Sequence, residues 1–207
     1  MIPRHLIITA VALLVLALGM AFYVRSMRSR AAYTARGALT TQPVSAPVSG
    51  PVEQVTLYVA YDDEGILQPQ AFRIPLPSGR QQRAEELLRA LIGIYLDKLS
   101  PHPLPPGSDL LGVYLVDPQQ TGPGSDPGLA VIDLNSAFAD GHRSGVLVEN
   151  LTVASLVRTL TANLDGVRRV KILINGQSRQ TLAGHADLSG FIDVAGMNQM
   201  AAELANP

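Results

Sequence analysis

The sequence predicts an α+β fold: a mixed β-sheet with two α-helices packed on one face, in the order β-β-α-β-β-α-β, preceded by one transmembrane helix. Three observations lead to this prediction. A stretch near the N-terminus, Leu6–Val24, carries no charge. Several short segments alternate apolar and polar residues with the period of a β-strand. Two longer segments repeat apolar residues every three or four positions, as amphipathic helices do.

The apolar stretch Leu6–Val24 is long enough to cross the hydrocarbon core of a bilayer, which takes about 20 helical residues. A cleaved signal peptide has a shorter apolar region followed by a small-residue cleavage site, whereas Arg25, Arg28 and Arg30 follow this stretch. We therefore expect an uncleaved anchor over residues 6–24. The absence of cysteine excludes the lipid-modified N-terminus of a bacterial lipoprotein.

The charges beside the span bear on its orientation. Only Arg4 and the terminal amine precede it, while four arginines follow it within residues 25–36. Because basic residues near a span prefer the cytoplasmic side, charge alone favours a cytoplasmic C-terminal domain. Residues 25–51 start with basic residues and continue with proline, serine and threonine, the composition of an extended linker. The folded domain is expected over residues 52–194 and a C-terminal tail over residues 195–207.

The first half of the domain predicts a hairpin and a helix. Alternation in Val55–Tyr61 indicates a strand with one buried face, and the acidic run Asp62–Gly65 predicts the turn after it. A second strand around Gln70–Leu76 should be a sheet edge, because its proline cannot donate to the ladder. The helix that follows is expected to begin with a capping box of Ser78 and Gln81. Its apolar stripe consists of Ala84, Leu87, Leu88, Leu91, Ile92, Tyr95, Leu96 and Leu99.

The second half predicts two strands, a helix and a last strand. The segments "LLGVYLVD" and "GLAVIDLN" indicate strands, separated by a glycine- and proline-rich loop at residues 119–128. A helix over residues 146–164 is expected to bury Leu151, Ala154, Val157 and Leu160 and to expose Glu149, Arg158 and Thr159. The segment "VRRVKILING" predicts the last strand, with Val170, Ile172 and Ile174 facing inward.

Histidines are the candidates for catalysis or metal binding, because the chain has four of them and no cysteine. His185 and Asp187 form a His-x-Asp pair that could orient an imidazole as a general base. The interpretation we favour is that His185 fixes the turn after the last strand. A triad of Asp133, His142 and Ser144 rests only on proximity in sequence, and no G-x-S-x-G motif is present. We predict no catalytic, cofactor-binding or metal-binding residue.

Two charged groups are expected to be structural. The run Asp62–Gly65 lacks the alternating oxygen ligands and the final glutamate of a calcium loop, which favours a solvated turn. Arg158, Arg168, Arg169 and Lys171 come without aromatic platforms, which favours a solvated sheet edge over a nucleic-acid site. The net charge of −1 likewise gives no indication of a nucleic-acid partner.

The C-terminal half of the domain resembles a known family. The segments "RTLTAN", "ILINGQ" and "TLAGH", within residues 145–190, are similar to motifs of the GerMN domain of bacterial sporulation and spore-germination proteins. The segments "VIDLNSAF" and "PLPPGSDLLGV" are similar to the strand and connection that precede these motifs. The resemblance therefore extends over residues 55–194. It implies a small α/β domain outside the cytoplasmic membrane, without established catalytic residues, that organises assemblies of envelope proteins.

This resemblance implies the orientation opposite to the one that charge favours. Residues 1–5 would be cytoplasmic, a single span would cross the cytoplasmic membrane, and the domain would be extracytoplasmic. The expected function is a non-enzymatic, membrane-anchored GerMN-like domain that contacts envelope proteins or a second copy of itself. The alternative is a module that binds a cell-wall glycan or peptide, with residues 119–128 as a lip. A hydrolase using His185 and Asp187 is the third hypothesis. No cofactor is expected.

Overall fold

The computed structural model describes residues 50–116, 128–197 and 199, which lie in one compact unit, Val48–Pro207. The predicted anchor at residues 6–24 lies outside the described residues, as do most of the predicted linker and tail. Within the described ranges, no helix is both long and apolar enough to cross a membrane.

The domain begins with a two-stranded antiparallel hairpin, β1 (Val52–Tyr61) and β2 (Ile66–Pro75). The alternation predicted for β1 is confirmed, because Val55, Leu57 and Val59 are buried in the core. The expected turn joins the two strands at residues 62–65.

The remaining elements follow in the predicted order, with two additions. They are α1 (Arg80–Leu96), β3 (Leu110–Val116), β4 (Leu129–Leu134), α2 (Ser136–Asp140), α3 (Val146–Asn163), β5 (Arg169–Ile174) and β6 (Ile192–Asp193). The additions are the two shortest, α2 and β6. The Asn135 side chain caps α2 by accepting a hydrogen bond from the Phe138 N–H.

The predicted single mixed sheet was wrong, because the strands form two sheets. The hairpin is one, and the other has the strand order β3-β4-β5-β6. In the second sheet β4 and β5 are parallel, since the chain crosses over through α3, and the other two pairs are antiparallel. Its buried face includes Val113, Ile132 and Ile172. The fold is therefore α+β. Helix α1 packs on β3 of the second sheet and on β1, whereas α3 packs on the hairpin and on α1.

The edge of β1 that faces away from β2 is bonded to helix side chains, and this explains why the hairpin does not continue into the second sheet. Three N–H groups on this edge donate to helix side chains instead of to another strand: Thr56 to Asn163 Oδ1 (3.0 Å), Tyr58 to Thr159 Oγ1 (2.9 Å) and Ala60 to Tyr95 Oη (2.9 Å). Asn163 Nδ2 also donates to the Thr56 carbonyl oxygen (2.7 Å). The helices thus satisfy the edge that would otherwise pair with a strand.

The opposite edge of the hairpin, formed by β2, carries prolines. Because the Thr56, Tyr58 and Ala60 N–H groups point away from β2, the pairing register places the N–H positions of Pro69 and Pro75 on the outer edge of β2. Proline has no N–H to offer there, so no ladder hydrogen bond is lost. The expectation of an edge strand agrees with this arrangement, although β2 starts at Ile66 rather than near Gln70.

Helix α1 differs from its prediction at both ends. Its N-cap residue is Gly79 and no side chain caps it, so the proposed capping box of Ser78 and Gln81 was wrong. The helix ends at Leu96, and Leu99 beyond it is 91% exposed rather than buried. The other predicted stripe residues up to Tyr95 are buried as expected.

Helix α3 begins at the predicted residue, Val146, but is buried more completely than its pattern suggested. Residues 151–157 are all buried because α3 packs against both β1 and α1. The expectation that Glu149 and Thr159 are exposed was therefore wrong, and both are fully buried. A helix that is apolar on most of its circumference is typical of the interior of a domain.

Candidate functional site

Helix α3 carries a row of polar side chains into the interior of the domain. Glu149, Thr152, Ser155 and Thr159 are three or four residues apart, so they share one face of the helix. All four are fully buried. Burying a polar group is costly unless it has a hydrogen-bond partner, and each of these has at least one. The two N-terminal members, Glu149 and Thr152, each lie at the centre of a cluster of hydrogen bonds, and these two clusters form the candidate site.

Glu149 accepts hydrogen bonds with both carboxylate oxygens. Its Oε2 accepts the N–H groups of Ala183, His185 and Ala186, each at 2.9 Å. Its Oε1 accepts the Gly145 N–H (3.1 Å) and lies 3.0 Å from His185 Nδ1. We call Glu149 and these donors the Glu149 cradle. It joins the start of α3 to the loop that follows the last long strand.

The charge state of Glu149 follows from these donors. Burial alone would raise the pKa of the carboxyl, because it penalises the charged form. The N–H groups of Ala183, His185 and Ala186 outweigh burial, and together with the His185 ring they lower the pKa to about 2. The side chain is therefore a carboxylate at neutral pH, and the N–H groups around it hold loop residues 183–186 in place.

His185 is oriented by this carboxylate. Because Glu149 only accepts hydrogen bonds, His185 Nδ1 carries the proton that it donates. Ser144 Oγ lies 3.3 Å from the same Nδ1 atom. A catalytic triad needs its nucleophile and its carboxylate on opposite ring nitrogens. The arrangement of Ser144, His185 and Glu149 therefore provides no relay from a serine to a carboxylate.

The structure does not bring His185 and Asp187 together. Asp187 Oδ1 accepts the Ser189 N–H at 2.8 Å, and the side-chain and backbone bonds from Ser189 lower the pKa of this carboxyl. The ring of His185 faces Glu149 instead. The interpretation of His185 as the residue that fixes this turn agrees with its contacts, whereas the pairing with Asp187 was wrong.

The triad considered from sequence proximity is also separated. Asp133 Oδ1 accepts the Gly176 N–H (2.8 Å) at the end of the sheet. His142 bonds to Thr152 and to the Arg143 carbonyl oxygen, and Ser144 lies beside His185. Asp133, His142 and Ser144 thus belong to three different sets of contacts.

A second cluster lies one helical turn from the Glu149 cradle. Thr152 Oγ1 is 2.8 Å from His102 Nε2 and 2.8 Å from His142 Nε2, and 2.9 Å from the Val148 carbonyl oxygen. His102 Nδ1 is 2.5 Å from Asp62 Oδ1. We call Asp62, His102, His142 and Thr152 the histidine network. All four side chains are buried, although they come from four separate parts of the sequence.

Aromatic rings and charges surround the histidine network. The ring of His102 meets Tyr95 edge-on (centroids 4.7 Å apart) and the ring of His142 stacks on Phe138 (6.2 Å). Burial lowers the pKa of His142, and the nearby His102 adds to this effect. His142 is therefore favoured as a neutral ring whose Nδ1–H donates to the Arg143 carbonyl oxygen (2.8 Å).

The acidic turn takes part in this network, contrary to its predicted solvated role. Asp62 is buried: one oxygen faces His102 and the other accepts from Arg143 Nη1 at 2.8 Å. Only Asp63 and Glu64 of the acidic run are exposed. Asp62 thereby ties the hairpin turn to the segment that leads into α3.

The basic residues of α3 and β5 do not form one patch. Arg158 lies over the Tyr58 ring, 4.4 Å from its centroid, and Arg169 lies 5.0 Å from the centroid of Phe191. Lys171 Nζ donates to three carbonyl oxygens, of Leu188 (2.6 Å), Ser189 (2.7 Å) and Gly190 (3.2 Å). These three cations hold neighbouring segments of the domain, which differs from the solvated sheet edge that was expected.

Exposed apolar side chains adjoin both clusters. Val146 is 61% exposed and Leu147 44% exposed in the first turn of α3, and Leu147 lies against Gly65 of the hairpin turn. Arg143, held by Asp62, and His185, held by Glu149, flank them and are also exposed. We call Arg143, Val146, Leu147 and His185 the distal patch, because it lies at the end of β1 opposite Val52.

Within the part of the chain that the structure describes, no group of three or more acidic, histidine or cysteine side chains is arranged to hold a metal ion. The loop proposed as a ligand-binding lip, residues 119–128, lies outside the described residues except for Gly128. A cleft of about 480 Å³ beside the end of α1 is lined by Ala90, Gly93, Ile94, Asp97, Leu99, Ser100 and Pro101, and thus by no member of the cradle or the network.

Two important residues were missed from the sequence. His102 lies between prolines, and nothing local marks it, since its partners are 40 and 50 positions away. For Glu149, by contrast, the surrounding sequence did contain a signal that the side chain is buried. Apolar residues surround it on both sides in "VLVENLTVASLV", and a charge within a helix that is apolar all round indicates a buried, paired group.

Comparison with known proteins bears on the whole domain. The family model described as "Germane: Sporulation and spore germination" matches residues 56–180, more than half of the chain. No curated protein sequence matches the chain.

The chain is also similar to solved structures. The tandem GerMN domains of the sporulation protein GerM from Bacillus subtilis are 19% identical, with 69% of this chain and 46% of that chain covered and a TM-score of 0.48. The first GerMN domain of the same protein is 18% identical, covering 66% and 92%, with a TM-score of 0.40. A Clostridium perfringens protein described as a candidate lipoprotein is also 18% identical, covering 72% and 92%, with a TM-score of 0.43.

Proposed function

The chain belongs to the Germane family of sporulation and spore germination domains, and we propose that it is a non-enzymatic, membrane-anchored interaction module of the bacterial cell envelope. In this proposal the predicted span at residues 6–24 anchors the domain, residues 25–51 give it reach, and the distal patch binds another envelope protein.

The observation that carries this proposal is the exposure of Val146 and Leu147 on a rigid frame. Protein interfaces are typically built from apolar anchors with a polar rim. Here the two apolar side chains lie between Arg143 and His185, and a buried carboxylate fixes each of these flanking residues. A surface that is ordered before binding loses less conformational entropy when a partner docks.

The position of the patch supports the same use. The linker enters the domain at Val52, the first residue of β1, and the distal patch adjoins the turn after Tyr61. At about 3.3 Å per residue, β1 separates these two points by about 30 Å. The patch therefore lies at the far end of the domain from the residue that continues into the linker.

The geometry around His185 supports a non-enzymatic role. Ser144 and Glu149 share one ring nitrogen of His185, and the Thr152 hydroxyl, which two histidines contact, is fully buried. A nucleophile has to reach its substrate, so neither arrangement is suited to nucleophilic catalysis.

The partner we propose is an envelope protein that presents apolar side chains to Val146 and Leu147 and an acidic group to Arg143. The test compares the full-length chain with the variants Val146→Asp and Leu147→Asp after purification from cross-linked cells. Both variants should lose the partner. Thermal unfolding should stay unchanged in Val146→Asp, whose side chain is 61% exposed, and this variant separates binding from stability because Leu147 also packs against Gly65. Leu111→Asp is the matched control, because Leu111 is an apolar residue of similar exposure on β3.

Three outcomes would count against this proposal. The partner could be retained in both variants. It could also be lost equally in Leu111→Asp, which would indicate non-specific association through any exposed apolar side chain. Co-sedimentation of the chain with cell-wall fragments, abolished by Leu147→Asp, would indicate a glycan or peptide ligand instead. If the protein recovered is a second copy of this chain, the patch mediates self-association.

A further inference from the structure

The histidine network can exist in two protonation states without any movement of heavy atoms. Thr152 has one hydroxyl proton and three neighbours: His102 Nε2, His142 Nε2 and the Val148 carbonyl oxygen. A carbonyl oxygen can only accept, so the direction in which Thr152 donates determines which ring nitrogens must carry protons.

In the first state His142 is neutral. Its Nδ1–H donates to the Arg143 carbonyl oxygen, so its Nε2 accepts the Thr152 hydroxyl proton. Thr152 must then accept from His102 Nε2–H. A further proton lies between His102 Nδ1 and Asp62 Oδ1, since two acceptors would not approach to 2.5 Å. Every polar atom of the network is satisfied.

In the second state His142 carries one more proton. Its Nε2–H now donates to Thr152, and the Thr152 hydroxyl turns to donate to the Val148 carbonyl oxygen 2.9 Å away. All hydrogen bonds are again made. The difference between the two states is therefore one buried positive charge and not a broken hydrogen bond.

The surroundings of His142 make this extra charge unfavourable. The charged or titratable groups that face it are His102 after α1, Asp62 in the hairpin turn, Glu149 on α3 and its neighbour Arg143. Asp62 already contacts both His102 and Arg143, and Glu149 already accepts hydrogen bonds from all the donors of the Glu149 cradle. Neither carboxylate is therefore free to pair with a protonated His142. The α2 side of the ring offers only Phe138.

When His142 is protonated, the ion pair between Arg143 and Asp62 is the contact that breaks most easily. Arg143 is largely exposed, so water can solvate its guanidinium when it leaves, whereas His102 is enclosed. Arg143 is also the residue through which the hairpin turn holds the segment that enters α3. Releasing it would leave the negative charge of Asp62, which favours a protonated His142, less neutralised, and it would loosen that segment.

We propose that the histidine network is a proton-operated latch: when His142 takes up a proton, residues 141–147 loosen and the distal patch loses its ordered shape. The consequence for binding rests on the proposed function of the patch, but the latch is a property of the chain by itself. A partner would then bind at neutral pH and be released in a mildly acidic environment.

The test is amide hydrogen exchange of the full-length chain between about pH 7.5 and about pH 5, corrected for the intrinsic pH dependence of exchange. Because one proton is taken up on opening, protection of residues 141–147 should fall by up to about tenfold per pH unit over part of this range. The core strand β4 should keep its protection.

Two variants assign the effect to His142. His142→Phe keeps a ring against Phe138 and removes the site of protonation, so its protection of residues 141–147 should not change with pH. His185→Gln removes the exposed histidine at the same end of the domain and should retain the wild-type pH dependence. Persistence of the pH dependence in His142→Phe would overturn the latch, as would its loss in His185→Gln.

A measurement on the unmodified chain covers the case in which His142→Phe does not fold. Imidazole NMR signals should show His142 titrating below the ordinary range of a histidine, because its ring is buried, and protection of residues 141–147 should fall over the range in which His142 titrates. Titration of His142 with unchanged protection would refute the latch. If protection of residues 141–147 did not depend on pH but the distal patch still bound its partner, the latch would be refuted and the proposed function would stand. If protection depended on pH but the patch bound no partner, the latch would stand and the proposed function would be refuted.

Discussion

Replacing Glu149 by glutamine tests whether the Glu149 cradle holds the domain together. The substitution keeps the shape of the side chain but removes its charge. The amide oxygen can still accept the three N–H groups that now bind Oε2. The amide NH₂ group then faces two other donors, the Gly145 N–H and His185 Nδ1–H. His185 can relieve one conflict by changing tautomer, so one buried donor is left without an acceptor.

The size of the effect follows from the pKa of Glu149. The cradle lowers this pKa from 4.5 to about 2, and at 1.36 kcal/mol per unit this shift corresponds to about 3 kcal/mol of folding stability. The donor left without an acceptor is already part of this shift, because any neutral side chain at this position loses hydrogen bonds that the carboxylate accepts. We therefore expect Glu149→Gln to lower the free energy of unfolding by about 3 kcal/mol near pH 7. That is a large part of the 5–15 kcal/mol typical of a domain.

Urea unfolding followed by circular dichroism measures this difference, with Glu64→Gln in the exposed turn as the control. The control should change the free energy of unfolding by no more than about 0.5 kcal/mol. Because the folded-state pKa of Glu149 is depressed, its contribution is present above pH 4.5 and disappears as the pH falls toward 2. The difference in free energy of unfolding between the wild type and Glu149→Gln should decrease over the same pH range. A loss below about 1 kcal/mol near neutral pH would refute the reasoning.

Three further predictions concern the hairpin. Tyr95→Phe removes the acceptor of the Ala60 N–H and should cost about 1–3 kcal/mol in urea unfolding; an unchanged midpoint would show that water replaces the hydroxyl. Thr159→Val removes the acceptor on the β1 edge and should destabilise more than Thr161→Val, whose hydroxyl bonds only within its own helix; equal losses would contradict the proposed role of α3. Pro69→Val restores an N–H on the outer edge of β2 and should promote concentration-dependent association in analytical ultracentrifugation, whereas a monomer at every concentration would show that proline does not protect this edge.

Local pattern was sufficient for the elements whose partners are their own neighbours in sequence. The alternation of β1 identified Val55, Leu57 and Val59 as buried, although it placed the buried Ala60 on the other face, and the apolar stripe of α1 identified its buried residues from Ala84 to Tyr95. The start of α3 at Val146 was also predicted, because the helical period begins there. The end of α1 was not, since Leu99 continues the three-residue apolar spacing from Leu96 although the chain has already left the helix.

The candidate site depends on contacts that no local pattern encodes. Glu149 meets Ala183 and His185 across 34 and 36 positions, and Tyr58 meets Thr159 across 101. The apolar residues around Glu149 indicate that it is buried, but its partners in the loop after β5, and the burial of Thr159 against β1, follow only from the tertiary packing of α3. The division into two sheets has the same origin, because helix side chains occupy the edge of β1 that a third strand would have used.

Site-specific photo-cross-linking in intact cells tests the central claim most directly. A photoreactive side chain would be placed at Val146 in the distal patch and, as a matched exposed position, at Arg73 on the outer surface of β2. We expect one defined cross-linked protein from position 146 and none from position 73, in a chain that unfolds like the wild type. The same product from both positions, or a product from position 73 alone, would contradict the assignment of the distal patch as the binding surface.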